Sequence, residues 1–414
     1  MNDRNRVVIT GLGAITALGS DVDALWTSML AGRSGIKLLE SPDLADLKSR
    51  NAAQIDTPSI ETLAKSLQVS SGDRTADLAL IASSKALQDA GLLNGNIPEK
   101  HLEIATIFGT AVGAAHNLYS SYMAYAEKKV RGMRPTTVPR CMANAITAQI
   151  SMRFKLTGPN FVIVCACASS TTAIGTAFRM IKDGYSKIAL AGGADAIFEP
   201  ATYASWNNLG VMSKNADPSK ACRPFDLNRD GCVLGEGSGA LVLESLDSAT
   251  RRNAKIYAEI VGFGESSDAG HITSPNSDGQ LAAMKMALNS ACLQPADIGF
   301  INAHGTATKA NDECESRTIR SLLGNLADNV PVASNKSYFG HLLGASGAVE
   351  TIVTALGLKH GSVPPNLNLD TPDPACNLNL VGKKPLEISA PIAMKNSFGF
   401  GGNNSVLILK KWSA

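Results

Sequence analysis

The chain has 414 residues, enough for two domains or for one large duplicated unit with an extensive core. It is 44% hydrophobic and 18% charged with a formal net charge of +2, a balance that gives no ground for a nucleic-acid partner, although net charge is silent on local clusters. Eight irregularly spaced cysteines do not make a disulfide framework, and neither the polar opening from Met1 to Arg6 nor the Ser- and Thr-broken apolar stretch from Phe161 to Ile174 reads as a leader or a membrane span. The expected location is the reducing cytoplasm.

Strand-like runs alternate with helical patterns along the chain, which predicts an α/β protein with buried sheets. Val7-Val8-Ile9-Thr10-Gly11-Leu12-Gly13 reads as a buried strand ending in a glycine turn. Leu78, Ile81 and Ala82 open a helical stripe that stops at Gly91, and Ile104 to Thr110 reads as a second strand. A third runs from Phe161 to Val164, and the small-residue segment after it suits a helix from about Ser169 towards Asp183, with Gly184 as its stop.

The order then recurs. Tyr257 to Gly264 repeats the opening strand, and Leu281, Met284 and Leu288 mark a helix whose end echoes Leu87 to Leu92. Ile298 to Thr306 mirrors Ile104 to Thr110, Val330 to Ser334 opens a third matching strand, and Ser405 to Leu409 closes the series. Two similar halves are therefore expected, residues 1–250 and 251–414, with the turns after the strands carrying the chemistry.

Cys167 lies where a buried strand turns into a helix, within Val164-Cys165-Ala166-Cys167-Ala168-Ser169. A thiol at a helix N-terminus meets unpaired N–H groups and the positive end of the dipole, and both favour the reactive thiolate. The bland reading is a small buried packing residue. Strand alternation would send the Cys165 sulfur to the same side, but no second Cys or His pair with ligand spacing accompanies it, so Cys165 reads as packing and no metal is expected.

The second half places His304, in Asn302-Ala303-His304-Gly305-Thr306, and His341, in Phe339-Gly340-His341-Leu342, in glycine-containing turns just after strands. Two imidazole N–H groups can stabilise the enolate that forms when a malonyl thioester loses carbon dioxide. Lys336 either tunes this cluster or is an ion-pair partner of Glu350. The loop Asn396-Ser397-Phe398-Gly399-Phe400-Gly401-Gly402 offers mobile backbone and two rings that can gate an acyl pocket or simply pack in the core.

Together these segments resemble the β-ketoacyl-[acyl carrier protein] synthases of the type II elongating class, in the thiolase-like superfamily. The likeness spans nearly the whole chain and includes Gly11-Leu12-Gly13, Ala166-Cys167-Ala168, Arg223-Pro224-Phe225-Asp226, Arg229-Asp230-Gly231, Leu234-Gly235-Glu236-Gly237, the His304, Lys336 and His341 turns and the Gly399 to Gly402 loop. It implies a duplicated five-layered αβαβα thiolase fold, usually as a homodimer, and decarboxylative Claisen condensation of malonyl-carrier protein with an acyl chain on Cys167. It further implies His304 and His341 at the malonyl thioester with Lys336 in support, and an oxyanion hole from the N–H groups of Cys167 and Phe400, with Phe398 in the gate. Thr306 and Thr308 would bind the pantetheine arm, Val112 would stand at the pocket wall, and no cofactor is needed beyond the arm that the acyl carrier protein brings.

Some positions depart from that pattern. Cys165 stands for the common Thr, Cys232 for an aromatic, and Asn403 for a Thr. Ser71-Gly72-Asp73-Arg74-Thr75-Ala76-Asp77 replaces a basic docking segment, leaving Lys128, Lys129, Arg131 and Arg134 as the candidate patch for an acidic carrier protein, or as a solvated face. Gly109 to Gly113 and Thr308 to Asp312 look closer to the ketosynthase subunits of type II polyketide systems, some of which pair with a non-catalytic chain-length partner in a heterodimer. The final loop has no cysteine, which argues against a degradative thiolase.

Overall fold

The computed structural model describes residues 6–39, 44, 46–95, 97, 98 and 100–413; the expectation about a leader rests largely on residues 1–5, which lie outside them. Aliphatic runs in the first half form strands β1 (Val7–Ile15), β2 (Ala105–Gly109), β3 (Asn160–Ile163), β4 (Ile188–Asp195) and β5 (Gly237–Ser245). The second half supplies β6 (Ala258–Ser267), β7 (Phe300–Asn302), β8 (Pro331–Ala333), β9 (Ile392–Gly399) and β10 (Asn403–Lys411). The helices that matter for the site and the core are α1 (Arg74–Asp89), α2 (Ala115–Lys128), α3 (Ser169–Lys182), α4 (Pro200–Leu209), α5 (Ser277–Ala291), α6 (Lys309–Leu323) and α7 (Ser346–His360).

The first set lies in the order β1-β5-β4-β2-β3 and the second in the order β6-β10-β9-β7-β8. Pairing senses match too: β4–β2–β3 and β9–β7–β8 are parallel, while the strand pairs that involve β5 and β10 are antiparallel. One unit is written twice. The halves join edge to edge where Val7, Val8 and Ile9 of β1 pair antiparallel with Ile260, Glu259 and Ala258 of β6.

The glycine turn expected at Gly11-Leu12-Gly13 is instead continuous strand. Its glycines are there because α1 lies on them: a Cβ on Gly13 would meet the Ala82 carbonyl oxygen at 2.1 Å, and one on Gly11 the Ala86 oxygen at 2.3 Å. The second half repeats the device. Cβ atoms on Gly264 and Gly262 would meet the oxygens of Ala283 and Ala287 on α5 at 2.2 and 2.4 Å.

Helices α3 and α7 are the matching central pair, joined in one apolar cluster through Ala173, Ile174 and Phe178 against Val349 and Ile352. Outside the sheet, α1 buries Leu78 and Ile81 with Phe108 and Val242, and α5 buries Met284 and Leu288 with Ile301 and Val406. The result is five layers, helix–sheet–helix–sheet–helix. Each such aliphatic or aromatic side chain contributes roughly 1.5–3 kcal/mol when fully buried. Asp73 caps α1, Asn276 caps α5 and Thr308 caps α6, each through its side chain, whereas α3 and α7 start without a side-chain cap. The positive dipole ends of the two central helices therefore sit at the turns that hold Cys167 and His341.

Candidate active site

Strand β3 ends at Ile163, and the chain then breaks the strand alternation. Ala166 takes a φ of 49°, a left-handed conformation unusual for a residue with a Cβ, and Cys167 follows in a single tight turn before α3. The expected shared side for the two sulfurs is therefore not found. Cys165 is half-buried beside Thr172 and Glu265 and is absent from the cavity wall, while Cys167 is buried and faces that cavity.

His304 follows β7. Its N–H and that of Gly305 donate to the two oxygens of Glu315 at 2.8 Å each, and Thr306 N–H donates to Asp312 at 2.9 Å. Both carboxylates are buried on α6, one helical turn apart, so the helix carries the histidine turn on its inner face. Asp312 closes the Thr308–Asp312 segment noted in the sequence, whereas Glu315 is placed on that face only by its spacing from Thr308, the cap of α6. Lys336 follows β8 and serves both roles that were open for it. Its Nζ is 2.5 Å from Glu350 Oε1, 2.5 Å from the His304 carbonyl oxygen and 3.3 Å from His304 Nδ1.

His341 completes the group. Its Nε2 is 3.0 Å from Cys167 Sγ, and its Nδ1 is 2.9 Å from Ser346 Oγ at the start of α7. The His304 and His341 rings stand edge to face with centroids 5.4 Å apart. Phe398 sets its ring edge-on to His304 at 6.0 Å, and Phe400 stacks on Trp206 of α4 at 5.8 Å. Gly399 lets this loop approach the Cys167 turn, because a Cβ there would lie 3.0 Å from both Cys165 O and Cys167 N.

These side chains line one cavity of about 120 Å³, together with Thr306, Thr308, Trp206 and Cys232. The Thr306 and Thr308 hydroxyls are 2.8 Å apart. Val112 is not on this wall; it packs beside it in an apolar cluster with Leu343 and Trp206, and its N–H donates to buried Asp195. A larger open groove, about 920 Å³ and lined in part by Thr16, Gln54 and Asp56, contains none of these residues.

Burial pushes the Cys167 thiol up to about 11, against the opposing pull of the Lys336 charge and the Phe400 N–H. Burial likewise holds His304 and His341 well below the usual imidazole range, helped by the positive charge of Lys336. Burial thus works against the thiolate that the helix N-terminus favours, pushing both partners of the Cys167–His341 contact towards their neutral forms. Donor atoms of Cys167, His304 and His341 lie within 4.8 Å of one another, the only such His/Cys/Asp/Glu group among the described residues.

Away from the cavity, Arg74 is tied to buried Glu236 at 2.6 Å and Asp73 is spent on its cap, so the segment at 71–77 braces the fold. Lys128, Lys129, Arg131 and Arg134 are all exposed, at the end of and just beyond α2, a helix with no buried residue. No helix of the described residues is long and apolar enough to cross a membrane.

Residues 4–249 match the beta-ketoacyl synthase N-terminal domain and residues 257–370 its C-terminal domain. The chain is 39% identical over 413 residues to a 3-oxoacyl-[acyl-carrier-protein] synthase 2 of Synechocystis sp., covering 99% of each chain. It is 37% identical to the enzyme of the same name from Staphylococcus aureus, covering 100% of both. Among solved structures, the ishigamide ketosynthase/chain length factor superposes with a TM-score of 0.89 at 33% identity, covering 99% of this chain and 100% of that one. A beta-ketoacyl synthase from Burkholderia phymatum gives 0.88 at 34% identity with the same coverage. The five layers are those of the thiolase fold. The chain belongs to the beta-ketoacyl synthase family and is an acyltransferase that forms carbon–carbon bonds.

Proposed function

We propose that this protein is the β-ketoacyl-[acyl carrier protein] synthase of a fatty-acid elongation cycle, with Cys167 holding the growing chain as a thioester. The observation that carries the reading is the 3.0 Å contact between Cys167 Sγ and His341 Nε2, with His304 on the same cavity wall. In acylation, sulfur attacks the thioester carbonyl of the incoming acyl-carrier, its proton passes through His341, and the pantetheine thiol leaves protonated. The N–H groups of Cys167 and Phe400, both of which bear on the sulfur, hold the transient oxyanion.

In the second half-reaction a malonyl thioester loses carbon dioxide and the bond's electron pair becomes an enolate. Lys336 donates to His304 Nδ1, which leaves the proton of that ring on Nε2, facing the cavity. At His341 the Ser346 hydroxyl can donate or accept at Nδ1, so Nε2 can first take the thiol proton and later present an N–H to the enolate oxygen. The enolate carbon then attacks the acyl-Cys167 carbonyl, the C–S bond breaks with its electron pair on sulfur, and the thiolate takes up a proton from solvent. Thr306 and Thr308 offer hydroxyls to the pantetheine arm, and Phe398 and Phe400 form the gate. No cofactor beyond that arm enters the scheme, and buried Lys336 and Lys395 behind the imidazoles disfavour a resident dication.

The partner in this reading is an acyl carrier protein, an acidic surface that the exposed Lys128, Lys129, Arg131 and Arg134 complement. All eight cysteines are free, which suits a reducing cytoplasm. Self-association as a homodimer is supported by β3, an edge strand of the sheet, with Phe161 in it 36% exposed and Val164 just after it 55% exposed. A second reading, a type II polyketide ketosynthase paired with a chain-length partner, is favoured by the likeness to the ishigamide ketosynthase/chain length factor.

Mass spectrometry after mixing with acyl-carrier protein is expected to show the acyl adduct on Cys167; an adduct on any other residue overturns the assignment. Cys167→Ala is expected to lose condensation yet keep malonyl decarboxylation, because the imidazoles remain. His304→Ala and His341→Ala should each lower condensation by roughly 10²–10³-fold, the cost of one oxyanion donor. A screen of acyl-carriers by chain length and unsaturation separates the two pathways.

A further inference from the structure

Lys395 carries no motif, yet it is wholly buried on β9, immediately before the glycine-rich loop. Its ammonium donates to Thr171 Oγ1 at 2.9 Å, one helical turn past Cys167 on α3, and to Ser397 Oγ on β9. It faces Glu350 Oε2 at 3.1 Å, while Lys336 holds the other oxygen of the same carboxylate at 2.5 Å. One buried carboxylate thus stands between two buried ammonium groups. Desolvating a second cation costs several kcal/mol, and an apolar residue of similar size would serve packing as well or better. A purely structural account therefore leaves the charge unexplained.

We propose that Lys395 is a positioning residue for the condensing reaction: it clamps the Glu350 oxygen that Lys336 leaves free, so holding Lys336 against His304 and placing a second positive charge behind the imidazole pair. The inference rests on the condensing reading given above. The charged groups around it are Glu350 on α7, Lys336 after β8 and Glu315 on α6, whose oxygens already serve His304 N–H, Gly305 N–H and the Asn396 amide. Beyond them lie His304 and His341, and the Lys395 charge is among the causes that hold both rings neutral. Burial lowers Lys395 itself to about 8, so its charge is most secure below that pH.

The test is Lys395→Met in the full-length protein, read in two ways. Condensation kcat is expected to fall roughly ten- to hundredfold, the range for residues that act through a ligand or donor rather than on the reacting atoms. KM for malonyl-carrier should stay within about twofold, because the loss is confined to the transition state. Independently, histidine-labelled protein followed by NMR should show His341 titrating at higher pH in the variant, since removing a neighbouring positive charge makes the imidazolium less costly. The acid limb of the pH–rate profile should move up with it. An unchanged imidazole titration, or a variant with wild-type kcat and pH profile, overturns the proposal. Lys395→Gln, which keeps hydrogen bonding without charge, covers the case in which Lys395→Met does not fold, and the same two readouts decide it. If the wild-type protein shows no condensation, the functional reading fails, whereas the imidazole titration still decides the placement of charge.

Discussion

At Cys167 two effects of known sign compete. The helix N-terminus and Lys336 favour the thiolate, and complete desolvation favours the thiol; burial wins and the thiol sits at about 11. On the proposed reading, a thiol held neutral beside an imidazole would give up its proton as the thioester arrives. The reaction of Cys167 with iodoacetamide should therefore climb steadily with pH through the neutral range and into mild alkali. A flat rate from pH 6 upward, the mark of a preformed thiolate–imidazolium pair, contradicts this account. Trp206 makes the second residue-scale point. Stacked on Phe400 in a wall where Cys232 takes little room, the indole gives that ring a partner from α4.

At the scale of elements, helices α1 and α5 are brought onto their strands by glycines that admit helix carbonyls to within van der Waals contact of the strand backbone. Gly13→Ala and Gly264→Ala should each destabilise the fold by about 1–3 kcal/mol or more, as overpacking does, because the obstacle is backbone and cannot swing aside. Urea midpoints measure the loss, and midpoints equal to wild type would show that helix and strand can separate at no cost. The strand–turn–helix units then deliver each reactive group at a strand end: Cys167 after β3, His304 after β7, Lys336 and His341 after β8. Positions β3 and β8 correspond in the two halves. Cys167 and His341 thus follow equivalent strands of a duplicated unit and precede α3 and α7.

At the scale of the whole molecule, β3 has a strand on one side only, and Tyr122, Tyr125 and Val130, in α2 and just beyond it, are open to solvent. An exposed apolar edge of this kind is the usual mark of an interface. Sedimentation should find a dimer that Phe161→Asp converts towards monomer; a wild-type chain that sediments as a monomer counts against the homodimer. The amino-acid sequence by itself determined the alternation of strands and helices, the repeat that relates Val7–Gly13 to Tyr257–Gly264, and the identity of Cys167, His304, Lys336 and His341. Those are periodic or local signals, carried by glycine stops, short turns and reactive residue types. Strands β4, β5 and β9 left no turn-bounded signature, and Glu315, Trp206 and Lys395 carry no motif. Their significance arises from contacts between residues far apart in the chain: the 3.0 Å approach of sulfur to imidazole, the sharing of Glu350 by two lysines, and the burial that opposes thiolate formation. Desolvation and ion pairing depend on what folding brings alongside, so only the tertiary structure could decide them.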